Sequence, residues 1–246
     1  MLTAGLAKGL ILERNGSDLS GEGMGFGVPA IVTGWRTYLS FTAEEKPVSL
    51  PETVHKTFRL DAIQKLDKRG QETNALADYV WLEARGALYK ASAWAQRWLM
   101  LSRSASRANG TRAGFKQTEA LASVAVEYRK SKGSIDVSVD LSEVRRLPER
   151  RRVYVLNELD AAEFPLFRDS DGRELRDHAI GGWNLVKAEK AGFISRDGER
   201  RFEICQRPGA ALYRGRESLD GELSWSGLIY DVSRYPDDIF HYTVKL

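Results

Sequence analysis

Strict alternation of apolar and polar positions recurs along the second half of the chain. Ile135, Val137, Val139 and Leu141 alternate with Asp136, Ser138 and Asp140, and Phe240, Tyr242, Val244 and Leu246 alternate with His241, Thr243 and Lys245. Successive side chains of a strand point to opposite faces, so each run predicts a strand with one face on a core and the other in water. Between them, Val153, Val155, Asn157 and Leu159 fall on one face of a further strand and Tyr154, Leu156, Glu158 and Asp160 on the other. Five dipeptides suited to tight hairpins punctuate the chain: Asn15-Gly16, Asn109-Gly110, Asp171-Gly172, Asp197-Gly198 and Asp220-Gly221. Such turns need positive φ at both central residues, which Asn, Asp and Gly tolerate. Strand-like sequence leads into the first and surrounds the fourth and fifth. No alternation of strand and helix appears after about residue 118, so the pattern predicts antiparallel sheet.

Residues 75–107 break this rhythm. They contain no proline, one glycine (Gly86) and many alanines, which favours helix. At 100° per residue, Leu88, Ala91, Trp94, Ala95, Trp98, Leu99, Leu101 and Ala105 fall within an arc of about 160°, opposite Ser92, Gln96, Arg97, Arg103 and Arg107. The spacing predicts an amphipathic helix over about 87–107, stopped by Asn109-Gly110. A shorter helical piece is expected over 61–68, with loops over 43–51 and over the arginine-rich 145–152, where Pro148 interrupts. Together these features predict a mainly β fold: an antiparallel β-sandwich with one long amphipathic helix packed on a sheet. No linker divides the chain, so 1–246 reads as one β-rich domain with a helical insertion at about 75–108.

Composition narrows the function classes. The 246 residues include 37 Lys+Arg against 34 Asp+Glu, a formal charge of +3, so the whole-chain balance demands no polyanionic partner. The single cysteine, Cys205, excludes an intramolecular disulfide and a cysteine zinc cluster, and suits a reducing compartment. His55, His178 and His241 are too far apart in sequence to form a short metal-binding motif, and no metal or cofactor is expected. The start makes a weak signal peptide, and no apolar run approaches the ~18 residues that span a bilayer, so a cytoplasmic location is expected. Five Asn, five Gln and an Arg-rich set of cations fit a thermophile or a GC-rich genome equally.

Several local features carry candidate chemistry. Gly21, Gly23, Gly25 and Gly27 alternate with Glu22, Met24, Phe26 and Val28, leaving one strand face as bare backbone. The spacing fits neither a dinucleotide fingerprint nor a kinase phosphate loop, and close packing against another element is the plain reading. Residues 84–118 hold seven cations, Arg97 and Arg103 among them, and no carboxylate. That asymmetry suits an anionic partner, or merely the wet side of a helix docked through Trp94 and Trp98. Glu158 and Asp160, at strand positions i and i+2, would face the same way about 7 Å apart, a spacing open to acid/base work on a glycosidic bond. His178, just before Gly181-Gly182-Trp183, is a candidate proton carrier, and His241 is either an exposed edge residue or part of a groove. Asp169-Ser170-Asp171-Gly172 has the look of a calcium loop but fails at both ends of that motif, where Phe167 and His178 would stand as first and last ligands.

Two functions compete. In the first, the protein binds or processes a saccharide or sugar phosphate in a sandwich groove, with Trp183 and Trp225 as stacking platforms and Glu158, Asp160 and His178 as catalytic candidates. In the second, it is a non-enzymatic module that grips nucleic acid, lipid headgroups or an acidic protein through the basic helix, with Arg97 and Arg103 as contacts, and through the 145–152 arginines. Hairpin-rich sheets leave edges, so a homodimer is a further expectation.

Overall fold

The computed structural model describes residues 8–10, 13–14, 17–18, 25–33, 36–40, 53–66, 72–73, 115–147, 151–176, 183–219 and 223–246. The strands are β1 (Glu13–Arg14), β2 (Ser17–Asp18), β3 (Gly25–Thr33), β4 (Arg36–Ser40), β5 (Thr53–Leu66), β6 (Glu72–Thr73), β7 (Phe115–Ser131) and β8 (Ser134–Asp140). They continue with β9 (Arg151–Glu158), β10 (Leu166–Asp169), β11 (Trp183–Leu185), β12 (Lys190–Ile194), β13 (Arg201–Cys205), β14 (Ala211–Leu219), β15 (Leu223–Asp231) and β16 (Ile239–Lys245). All pairings are antiparallel: β1 and β2 form a two-stranded sheet, and the rest form one open sheet. Its order is β10-β12-β13-β16-β8-β7-β5-β4-β3-β9-β15-β14-β11, with β6 beside β5.

The large sheet doubles over on itself, as ring contacts between strands distant in the hydrogen-bonded order show. Phe26 of β3 meets Phe193 of β12 at 6.0 Å and Phe202 of β13 at 6.1 Å, and Tyr230 of β15 lies 5.0 Å from both Phe240 and Tyr242 of β16. The two halves enclose one core that includes Val126, Tyr128, Val137, Val139, Val155, Leu228 and Ile204. The bend falls at β5, whose register with β7 shifts at Leu60, Asp61 and Ile63 while its second half pairs with β4. Irregular pairings of this kind bend a strand and increase its twist, which is how a sheet turns a corner.

The alternating runs 135–141, 153–160 and 240–246 correspond to strands Ser134–Asp140, Arg151–Glu158 and Ile239–Lys245, and the hairpin glycines Gly172 and Gly198 both have φ of 78°. Asp197-Gly198 joins β12 to β13, and β14 and β15 pair out to Leu219 and Leu223 around Asp220-Gly221. The helical piece expected over 61–68 is a strand to Leu66, because Thr37, Gln117 and Thr73 on three neighbours supply ladder partners that local propensity does not foresee. Within 145–152, the loop is partly a one-turn helix, Ser142–Arg145, and partly the start of β9. The described residues contain no long helix; the amphipathic segment over 87–107, with Trp94, Trp98, Arg97 and Arg103, lies outside them, as do 43–51 and Asn109-Gly110. No helix among the described residues is long and apolar enough to cross a membrane.

The glycine alternation has a structural use. Gly25 and Gly27 adopt φ of 75° and 78°, and the pairing of β3 with β9 shifts between Gly25 and Val28. This bulge breaks the even alternation expected for 21–28. It brings the Phe26 carbonyl to the Tyr128 hydroxyl, which donates to it at 2.9 Å, and leaves a Cβ at Gly27 only 3.0 Å from that same hydroxyl. The bare face therefore accommodates the opposite half of the sheet.

Candidate functional site

Strand β9 runs through the middle of the second half of the sheet and is buried on both faces. Its inward face carries Asn157, 1% exposed in an otherwise apolar layer. A buried amide is tolerated when its donors and acceptor are met. Tyr242 donates its hydroxyl to Asn157 Oδ1 at 2.5 Å, the Gly27 amide donates to the same oxygen at 3.2 Å, and Asn157 Nδ2 donates to the Leu228 carbonyl at 3.2 Å. Asn157 is thus a structural clasp between β9, β3, β15 and β16.

Glu158 and Asp160 sit in different local settings. β9 ends at Glu158, which is 7% exposed and accepts the Ser226 amide on Oε1 at 2.8 Å. Here Gly227 passes so close that a Cβ would stand 2.0 Å from the Asn157 carbonyl oxygen, and the Glu158 carboxylate takes over as acceptor for β15. The Ser226 hydroxyl in turn accepts from Arg214 Nη2 at 2.8 Å, and the Arg214 guanidinium lies 3.8 Å from the Phe167 ring centre. Asp160 lies beyond the strand, in a turn: its Oδ1 accepts the Ala162 amide at 2.8 Å and its carbonyl accepts the Glu163 and Phe164 amides. The expectation of a shared face rested on β9 continuing two residues further. Glu163 forms an ion pair with Arg200.

Of the two candidate tryptophans, the described residues include the side chain of Trp183. It sits half-buried on the edge strand β11, opposite Gly215 of β14, whose missing side chain makes room for the indole: a Cβ there would be 3.1 Å from Trp183 Cδ1. Tyr154 meets the indole edge-on at 5.0 Å and 75°, and Tyr213 is tilted against it at 5.9 Å. Burial pushes the phenol of Tyr154 well above its ordinary range and that of Tyr213 upward; Asp231 pushes both the same way, and Arg152 offsets part of it. Asp231 is the cross-strand partner of Tyr154, and Arg152 precedes Tyr154 by two residues on β9, on the same face of the strand. Leu185, 52% exposed, continues the strand into solvent. Trp225 occupies β15 opposite Glu217, with its side chain outside the described residues, where His178, Arg97 and Arg103 also lie.

Comparison with protein-family models, curated proteins and solved structures finds no match to this chain.

His241 is exposed, and at its position β16 pairs with Ser138 of β8, while β13 joins β16 only at Val244 and Lys245. The alternation fixes which face the terminal strand shows to water and is silent on its neighbours. Its Nδ1 is 2.8 Å from the Ser138 hydroxyl, and in the same cross-strand row His55 Nδ1 lies 3.7 Å from Glu127 Oε2. No group of three or more metal-binding side chains occurs among the described residues.

Sequence reasoning also missed a cleft of about 270 Å³ at the end of the sheet where β9 begins and β15 finishes. Its described lining is Leu141, Val144, Arg145, Arg151, Val153, Val232 and Ser233. Only the clustering of arginines around Pro148 hinted at it.

Proposed function

We propose that this protein binds a saccharide, without chemistry on it, at the Trp183 edge of the sheet. The observation that carries this reading is the half-buried Trp183 indole fixed by Tyr154 and Tyr213 beside Arg152 and Asp231. Sugar CH faces stack on such rings while hydroxyls meet neighbouring charged groups. A ring already locked by two aromatic neighbours loses little side-chain entropy on binding. The commitments of Glu158 to Ser226 and of Asp160 to its own turn favour binding over hydrolysis, since inverting or retaining glycosidases need two carboxylates aimed at one bond.

The test is intrinsic fluorescence and melting temperature across a panel of neutral oligosaccharides. A saturable, salt-insensitive response is expected with at least one, weakened about tenfold or more (~1.4 kcal/mol) in Trp183→Ala and only partly in Trp183→Phe. A panel without response, or one unchanged in Trp183→Ala, ends this reading.

A further inference from the structure

We propose that Asp171-Gly172 is a site of spontaneous covalent modification, at which a cyclic imide reroutes the backbone through the aspartate side chain, while Asp197-Gly198 is protected from the same reaction by its own turn. Both pairs lie wholly within the described residues, and their nucleophiles are matched. Gly172 and Gly198 share a φ of 78°, a Cβ on either would meet nothing within 4 Å, and each amide donates to a carbonyl three residues back, that of Asp169 at 3.1 Å and that of Ser195 at 2.9 Å. A difference in reactivity between the pairs must therefore come from their carboxyl groups.

The two turns employ those groups differently. Asp197 caps its own turn: Oδ1 accepts the Ser195 hydroxyl, and it accepts the Glu199 amide at 3.1 Å. The Ser195 hydroxyl first, then the Glu199 amide, hold this carboxyl below the usual carboxylate range, and the Arg200 cation adds to them. An ionised, hydrogen-bonded carboxylate is a poor electrophile, and its bonds restrict rotation onto the Gly198 nitrogen. In the other turn the cap is Asp169, 6% exposed, whose Oδ1 accepts the Asp171 amide at 3.0 Å and the Arg173 amide at 2.8 Å. That leaves the exposed Asp171 carboxyl with no hydrogen bond or ion pair among the described residues. It is free to swing toward the Gly172 nitrogen, where no Cβ hinders the approach.

The reaction balances with water alone. The Gly172 nitrogen attacks Cγ of the protonated Asp171 carboxyl, a C–N bond forms, the amide proton and the carboxyl hydroxyl leave as water, and a five-membered imide closes. A second water opens the imide at one of its two carbonyls. Opening at Cγ restores aspartate; opening at the main-chain carbon leaves the chain running through Cγ, one methylene longer, with a free α-carboxylate and unchanged mass. The effect falls on a sheet edge. The Asp169 amide donates to the Arg173 carbonyl at 3.0 Å, Arg168 bridges to Glu174, and the Leu175 amide donates to the Phe167 carbonyl at 2.8 Å, so 173–175 covers the outer side of β10. A longer link at 171–172 puts these bonds out of step and uncovers β10 to another chain.

Peptide mapping of the whole protein, aged in warm, mildly acidic buffer made with heavy-oxygen water, tests this. Isoaspartate is expected at Asp171 at least tenfold faster than at Asp197, with heavy oxygen incorporated at Asp171. In urea, where neither turn exists, the two rates should converge. Ser195→Ala removes the hydroxyl donor and should raise the Asp197 rate several-fold in the folded protein; the urea comparison needs no folded variant and decides the matter if Ser195→Ala does not fold. Absence of isoaspartate at Asp171, equal rates at the two sites in the folded protein, a difference that persists in urea, or an Asp197 rate unmoved in folded Ser195→Ala overturns the proposal.

Discussion

Gly27 and Gly198 share a φ of 78° and little else. Gly198 turns in open space, whereas a Cβ at Gly27 would press on Tyr128 and Val137 at 3.0–3.1 Å in the core. Replacing each by alanine therefore separates two costs. Gly198→Ala should lose about 1–2 kcal/mol, the cost of a left-handed conformation for a residue with a Cβ. Gly27→Ala should lose a further ~1–3 kcal/mol for overpacking, and it displaces the amide that donates to Asn157. Urea denaturation of both variants checks this; equal losses would mean that β3 and β7 are not packed as described. The Asp197-Gly198 turn was legible from its dipeptide. The conformation of Gly27 was not, because bare backbone in a sequence does not reveal which side chain will approach it. Asn157 gave a fainter signal, an amide on a face otherwise built from Val153, Val155 and Leu159.

At the scale of elements, the strands that alternate cleanly were legible, and the doubly buried ones only in part. β8 and β16 keep one wet face, so a period of two marks them. β9 is buried on both sides, and its end could not be read from period because the chain stays strand-like through Asp160 while its neighbour β15 turns to the Glu158 carboxylate instead. Residues 61–66 escape local propensity for a related reason: their strand exists through partners up to about sixty positions away in the chain, and local propensity carries no record of those. Position in the sheet also sets local stability. β8 and β9 are hydrogen-bonded on both sides, while β11 is a three-residue edge paired only with β14. Hydrogen exchange should be slowest in β8 and β9 and fastest, among these three, in β11, with protection at Trp183–Leu185 rising when a saccharide binds. Equal protection in the three strands would contradict the strand order.

At the scale of the molecule, one core joins both halves of the sheet, and its tyrosines report on it. Among the described residues, Tyr154, Tyr213, Tyr230 and Tyr242 have phenols raised above the ordinary value of 10.0, in each case chiefly by burial. The folded protein keeps these protons at pH values where the unfolded chain releases them. Their contribution to stability is therefore complete below about pH 10 and declines as pH climbs from there toward the folded-state values. Absorbance titration at alkaline pH should show these four phenols ionising only with loss of the folded circular dichroism signal. A single ordinary titration in a protein that stays folded would exclude the buried placement.

The clasp between Gly27 and Asn157 spans 130 residues of chain. A ribosome adding roughly 5–20 residues per second needs about 6–26 s to cover that interval. Throughout it, β3 waits in the cell with the flank that β9 will occupy still unclaimed. An unclaimed strand flank is a template for any other nascent chain, so the price of placing the first and middle thirds side by side is a dependence on whatever shields the newborn polypeptide until its second half arrives.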